Sequence, residues 1–130
     1  MTEALLVGLG GFFGAISRYL VSKYASQTFS AFPVGTLIVN VTGSFILGFV
    51  MYSALSSRLI SPEIRLLVAV GFVGAYTTMS TFAYETIRLT DARDFLDAGV
   101  NILLNVVLCL GAVYLAKIVS AIVTTHIKGA

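Results

Sequence analysis

Long apolar stretches alternate along this chain with brief polar interruptions. The apolar runs lie at roughly 4–25, 34–56, 64–89 and 98–124. Each is long enough for the ~20 residues that cross the hydrocarbon core of a bilayer. The interruptions are Ser26-Gln27-Thr28-Phe29-Ser30, then Ser56-Ser57-Arg58 with Ser61-Pro62-Glu63, and finally Thr90-Asp91-Ala92-Arg93-Asp94. Pro33 and Pro62 each stand just before an apolar run, where a helix start tolerates a missing N–H. Connections this short join antiparallel neighbours. The pattern predicts an all-α membrane protein, with residues 1–130 forming one transmembrane four-helix domain in up-down order. The N-terminal stretch has Glu3 and no Lys or Arg ahead of it, and its apolar run exceeds a typical signal-peptide core. It therefore reads as a retained spanning helix.

Composition agrees with that class. Hydrophobic residues make up 58% of the chain and charged residues 11%, with a mean hydropathy of +0.97, against ~45–50% and ~25% in soluble domains. Too few charges are present to cover a water-facing surface, whereas lipid requires this apolar excess. The net charge of +2 comes without a basic run, so nothing suggests a nucleic-acid partner. Cys109 is the sole cysteine, which precludes an intrachain disulfide and reads as a small buried hydrophobe. His126 is the only histidine. With no nucleophile–base set, metal-ligand cluster or phosphate loop, the sequence does not read as an enzyme.

Charge placement bears on topology. With four spans, Arg58, Arg65, Lys117 and Lys128 fall on one side, and Arg18, Lys23, Arg88 and Arg93 on the other. The balance gives the positive-inside rule no preference. Either orientation is set by something else, or equal numbers insert each way and pair as an antiparallel dimer.

Small residues recur at helix-packing intervals. Gly10 and Gly14 form a GxxxG pair in the first run, Ser44 and Gly48 share that spacing in the second, and Ala112, Ala116 and Ser120 are in register in the fourth. Such faces let backbones approach closely in lipid. They suit tight packing within the subunit, and their number favours a homo-oligomer.

Polar residues at membrane depth are costly and mark function or interhelical bonding. Arg18 is either a snorkelling arginine or a cation that draws an anion into a vestibule. Asn40, well inside the second run, either bonds a neighbouring helix or faces an ion path. Asn101 and Asn105, one turn apart, pose the same choice, with interhelical bonding the simpler reading. The third run changes character at Gly74-Ala75-Tyr76-Thr77-Thr78-Met79-Ser80-Thr81-Phe82. Glycine followed by clustered hydroxyls, which compete for backbone hydrogen bonds, predicts a helix broken near mid-membrane. Such breaks occur where backbone lines a cavity or binds an ion. Carbonyls at the break suit a small hard cation, and the hydroxyls of Ser80 and Thr81 suit an anion. Phe82 could present the positive edge of its ring to the same anion. Glu85 either pairs with Arg88 or sits in an aqueous vestibule.

The segments GGFFGAISRY, GTLIVNVTGSFILG and GFVGAYTTMSTF closely resemble the signature segments of the small fluoride channels called Fluc or CrcB, in the same order and over a chain of the same size. The resemblance implies an antiparallel dual-topology homodimer with two fluoride pores in the cell inner (plasma) membrane, conferring fluoride resistance. It implies a central structural sodium ion held by the backbone carbonyls of Gly74 and Thr77 from both subunits. It places Asn40, Ser80, Thr81 and Phe82 in the pore, and Arg18 and Glu85 at its vestibules. The sequence departs from the family at Met79, where the usual TTFSTF string has a first phenylalanine. Without that ring a two-ring ion box cannot form whole, and reduced throughput is expected. Two rival readings are a small dual-topology multidrug exporter and a non-transporting membrane assembly subunit. The exporter would need a carboxylate deep in the membrane, whereas Glu3 and Glu85 lie near span ends. The assembly subunit leaves the Gly/Thr/Ser break unexplained.

Overall fold

The computed structural model describes residues 1–29, 31–57 and 60–129, with the side chains of Ser57 and Lys128 outside that description. Of the charge balance and the linkers read from the sequence, Ser30, Arg58 and the Lys128 side chain therefore lie outside the described residues. Helix α1 is Thr2–Thr28 and α2 is Val34–Ser57. The third span falls into two pieces: α3, residues 62–76, and α4, Met79–Asp91. Helix α5 is Phe95–Gly129. Four stretches are long and apolar enough to cross a membrane, with α3 and α4 together counting as one.

The helices overrun the apolar runs because hydropathy marks the membrane core, not the ends of the hydrogen-bonded ladder. At ~1.5 Å per residue, α5 is about 50 Å long, well beyond a hydrocarbon core of ~30 Å. Ser61 caps α3 by accepting a hydrogen bond from the Ile64 N–H at 3.3 Å, and Pro62 occupies the first helical position. The α4–α5 link turns at Arg93, the one described non-glycine residue with positive φ (63°).

Contacts fix an up-down arrangement. Gly35 of α2 packs on Ser22 and Ala25 of α1, so these helices are antiparallel. Gly10 and Gly14 of α1 meet Leu67 and Phe72 of α3 in the same order, so α1 and α3 run parallel. Asn40, Gly48 and Ser53 of α2 meet Asn105, Ala116 and Ser120 of α5 in the same order, so α2 and α5 run parallel. Large side chains such as Leu9, Phe12, Leu103 and Leu110 face outward, as a lipid solvent demands. The largest fully buried side chains are Val39, Asn101 and Ser120. This interior of small and polar groups follows from the solvent: lipid tails give apolar side chains no reason to leave them, so close packing and interhelical hydrogen bonds hold the helices together.

Gly10, Gly14, Gly48, Ala116 and Ser120 of the small-residue faces are used within the chain. A Cβ on Gly10 would collide with the Leu67 carbonyl, and one on Gly14 with the Phe72 carbonyl. Gly48 packs on Ala116 and Val113, and Ser53 and Ser120 share a 2.9 Å hydrogen bond. Subunit packing is thus the role these particular residues fill here.

Most of α3 is wound wider than an α-helix. Leu66–Val73 forms a π-helical stretch between the α turns Pro62–Arg65 and Gly74–Tyr76. π-helical segments are rare and usually short. This one lies where the α1 glycines admit its carbonyls, and Gly71 in turn approaches the Val7 carbonyl at 2.6 Å from a built Cβ.

Candidate functional site

The break predicted from the glycine and hydroxyl pattern lies at Thr77 and Thr78, both extended (φ −80°, ψ 157° and φ −151°, ψ 115°). The upstream piece ends with Thr77 bonding back to the Val73 carbonyl twice, through its N–H and its hydroxyl, each at 3.0 Å. The downstream piece starts with Thr78 as cap: its Oγ1 accepts from the Thr81 N–H at 3.2 Å, the standard service of a threonine at a helix start.

Asn40 holds the break open. Its Oδ1 accepts from the Thr78 N–H at 2.8 Å, and its Nδ2 donates to the Thr78 carbonyl at 3.2 Å. In an unbroken helix the Thr78 N–H would serve the Gly74 carbonyl, four residues back. Asn40 takes that donor away. The second Nδ2 proton goes to Asn105 Oδ1 at 3.0 Å. Asn40 therefore makes the interhelical bonds weighed from the sequence, and both its amide donors are committed.

Behind Asn40 the polar chain continues. Asn105 Nδ2 donates to the carbonyl and the Oδ1 of Asn101, each at 3.0 Å. Asn101, at 0% exposure, donates to Thr86 Oγ1 at 2.9 Å. Thr86 donates to the Phe82 carbonyl at 2.8 Å. Gly43 clears the space that the break occupies, since a Cβ there would strike Thr77 Cγ2. Beside it, Thr42 gives its proton to the Ile38 carbonyl at 2.7 Å and accepts from the Tyr76 hydroxyl at 3.0 Å.

A pocket of about 300 Å³ opens at the break. Asn40, Thr77, Met79, Phe82, Asn105 and Cys109 are among its walls. Met79, 73% exposed, lies at the start of α4. Ser80 is exposed and shares a 3.2 Å hydrogen bond with Thr78 Oγ1. Thr81 accepts the Thr78 hydroxyl at 3.0 Å, which leaves its own proton available to an acceptor. Thr81, Glu85 and Arg88 follow on one face of α4 by helical spacing. Glu85 and Arg88 line a second pocket, about 340 Å³, at the loop end of α4 with Ser26 and Asp94. One Glu85 carboxylate oxygen, Oε2, is buried there without a hydrogen-bond partner among the described residues. Arg18, half-buried on α1, lines neither pocket.

The structure thus gathers Asn40, Met79, Ser80, Thr81 and Phe82 around the break, sets Glu85 one pocket away, and leaves Arg18 apart. Gly74 is exposed, and a Cβ built on it meets nothing within 4 Å. With the Thr78 N–H diverted, the Gly74 carbonyl lacks its helical donor. The Thr77 carbonyl belongs to the orphan set that every helix end leaves. Two such oxygens are the donor type a small hard cation takes. Sequence reasoning missed the work of Thr78, Thr86 and Gly43. A hydroxyl three residues before Thr81 was the legible sign of the Thr78 cap.

The chain matches the family model described as CrcB-like protein, Camphor Resistance (CrcB), over residues 5–117. It is 55% identical over 120 residues to the Fluoride-specific ion channel FluC of Methanococcus maripaludis, an alignment covering 92% of this chain and 97% of that one. It is 43% identical over 129 residues to Fluoride-specific ion channel FluC 1 of Methanosarcina acetivorans, covering 99% and 98%. To the Fluoride-specific ion channel FluC of Shewanella sp. strain W3-18-1 it is 51% identical over 118 residues, covering 90% and 94%.

Proposed function

This chain belongs to the CrcB family, and from that membership we propose that it is a fluoride-selective channel giving passive fluoride efflux across the cell inner (plasma) membrane. The observation that carries the reading is the pocket at the broken third span. Its walls bring together the hydroxyl residues Thr77 and Thr78, the Phe82 ring and the amides of Asn40 and Asn105, with no carboxylate among them. Fluoride is small and holds its water tightly, so a path for it must replace that water with donors. The Phe82 ring edge within the pocket and the free Thr81 proton beside it are suited to this, and the Ser80 hydroxyl would join them on giving up its bond to Thr78 Oγ1. Asn40 serves the same wall by fixing Thr78, and Met79 fills the place of a second ring with a flexible thioether. Glu85 and Arg18 are assigned to the vestibules. Hydrogen fluoride enters an acidified cell uncharged and dissociates inside. A negative-inside potential then drives the anion out, at ~2.3 kcal/mol per charge per 100 mV.

We further infer an antiparallel dual-topology homodimer. Exposed Ser80, exposed Gly74 and the orphan carbonyls at the break are unsuited to lipid, and a second copy would cover them. The even placement of Lys and Arg permits both orientations. The Gly74 and Thr77 carbonyls from both copies would hold a sodium ion, which when bound supplies positive charge to neutralise these oxygens and fix the break. A proton-coupled drug exporter fits less well, because the pocket at the break has no carboxylate.

The test is efflux from liposomes loaded with potassium fluoride, read by a fluoride electrode after adding valinomycin. Rapid efflux is expected, with no comparable chloride efflux from chloride-loaded liposomes. Absence of fluoride efflux from assembled protein, or equal efflux of both ions, would contradict the reading.

A further inference from the structure

We propose that Asn105 and Asn101 are positioning residues, which act through Asn40 to hold the break at Thr78 and the first turn of α4 in their working geometry. The inference rests on the channel reading for its functional readout, but its geometric content stands separately.

The argument is one of direction. An asparagine amide offers two donors on one side and an acceptor on the other, so its orientation is free unless neighbours fix it. Here each neighbour does. The Thr86 hydroxyl gives its proton to the Phe82 carbonyl, so it can only accept from Asn101. That turns the Asn101 Nδ2 toward Thr86 and its Oδ1 toward Asn105, which fills it with an N–H. Asn105 Oδ1 must then face Asn40 and receive a proton from it. Asn40 in turn presents Oδ1 to the Thr78 N–H and its remaining proton to the Thr78 carbonyl. Flipping any one amide would set donor against donor and acceptor against acceptor, which is most costly at the buried Asn101 and Asn105.

The circuit also closes on itself. It starts at the Phe82 carbonyl, leaves α4 at Thr86 for α5 and then α2, and returns at Thr78, the residue that caps α4. Both ends of the turn bearing Met79, Ser80, Thr81 and Phe82 are therefore tied to the same relay. Asn101 and Asn105 are at 0% and 6% exposure, and Asn101 does not line the pocket at the break. Its influence on an ion there must pass through the other amides or through Thr86 and Phe82.

The test is a double-mutant cycle in liposome efflux, with amide hydrogen exchange at Thr78 measured on the same assembled proteins. Asn105→Ala should reduce fluoride efflux on the order of tenfold or more, since displacing positioned groups by ~1 Å is costly on that scale. It should add almost nothing in an Asn40→Ala background, and it should speed exchange of the Thr78 N–H. A general packing role would lower the yield of assembled protein without producing this non-additivity. Efflux equal to the parent, effects that multiply in the double variant, or unchanged Thr78 exchange would overturn the proposal. Should Asn105→Ala not assemble, Asn101→Ser carries the same cycle one link further away. If the parent itself passes no fluoride, the channel reading fails, and Thr78 exchange still decides the relay.

Discussion

Two seams hold this molecule together, and they are built from opposite materials. Between α1 and α3 the contact is backbone on glycine: Gly10 and Gly14 receive the Leu67 and Phe72 carbonyls. Between α2, α4 and α5 the contact is a run of amides and hydroxyls from Thr78 to Phe82 by way of Asn40, Asn105, Asn101 and Thr86. The first seam depends on volume and admits no substitute side chain. The second depends on direction and tolerates changes in size better than changes in donor and acceptor. The contrast is a division of structural work: the dry seam supports the wide-wound α3 and the polar seam shapes the break, so assembly and fluoride passage are expected to answer to different substitutions.

The comparison can be broken most forcefully at the dry seam. Gly14→Leu should cost more than about 3 kcal/mol, beyond the usual overpacking penalty because the obstacle is backbone. The check is the yield of assembled protein by size-exclusion chromatography in detergent, with loss expected. At the polar seam, Asn40→Ala should leave assembly largely intact, costing about 1–2 kcal/mol for its interhelical bonds, while efflux falls on the order of a hundredfold. Met79→Phe sharpens the assignment of the pocket wall. A ring-edge contact worth about 1 kcal/mol should raise fluoride flux about fivefold, and unchanged flux would remove the thioether from the account. The smallest effect belongs to a polar contact far from the break. Ser53→Ala, which removes the bond to Ser120, should cost about 0.6 kcal/mol in a thermal melt and leave efflux unchanged.

Much of the architecture was legible because lipid imposes one rule everywhere. Spans of apolar residues separated by Ser26–Ser30, the Pro62 region and Thr90–Asp94 mark crossings whatever the family. The break was legible too, since Gly74 and the hydroxyls of Thr77, Thr78, Ser80 and Thr81 weaken a helix by local chemistry alone. Its position was not. Asn40, 38 residues away, selects Thr78 by taking its N–H, and no local propensity encodes that choice. The π-helical Leu66–Val73 was equally hidden, being an all-apolar stretch whose widening goes with the cavity left by glycines of another helix. The small-residue stripes announced close contacts without saying with whom, and Gly10, Gly14, Gly48 and Ser120 met partners in their own chain. Asn101 and Asn105 announced a shared face, but their amide directions emerged only once Thr86 and Asn40 were in place.

The most direct test of the account compares the parent protein and Asn40→Ala, both verified as assembled, in liposomes loaded with potassium fluoride. Fluoride efflux after valinomycin is expected to be rapid for the parent and lower on the order of a hundredfold for the variant. Equal efflux from the two would contradict the claim that the clamp on Thr78 shapes the path of the ion.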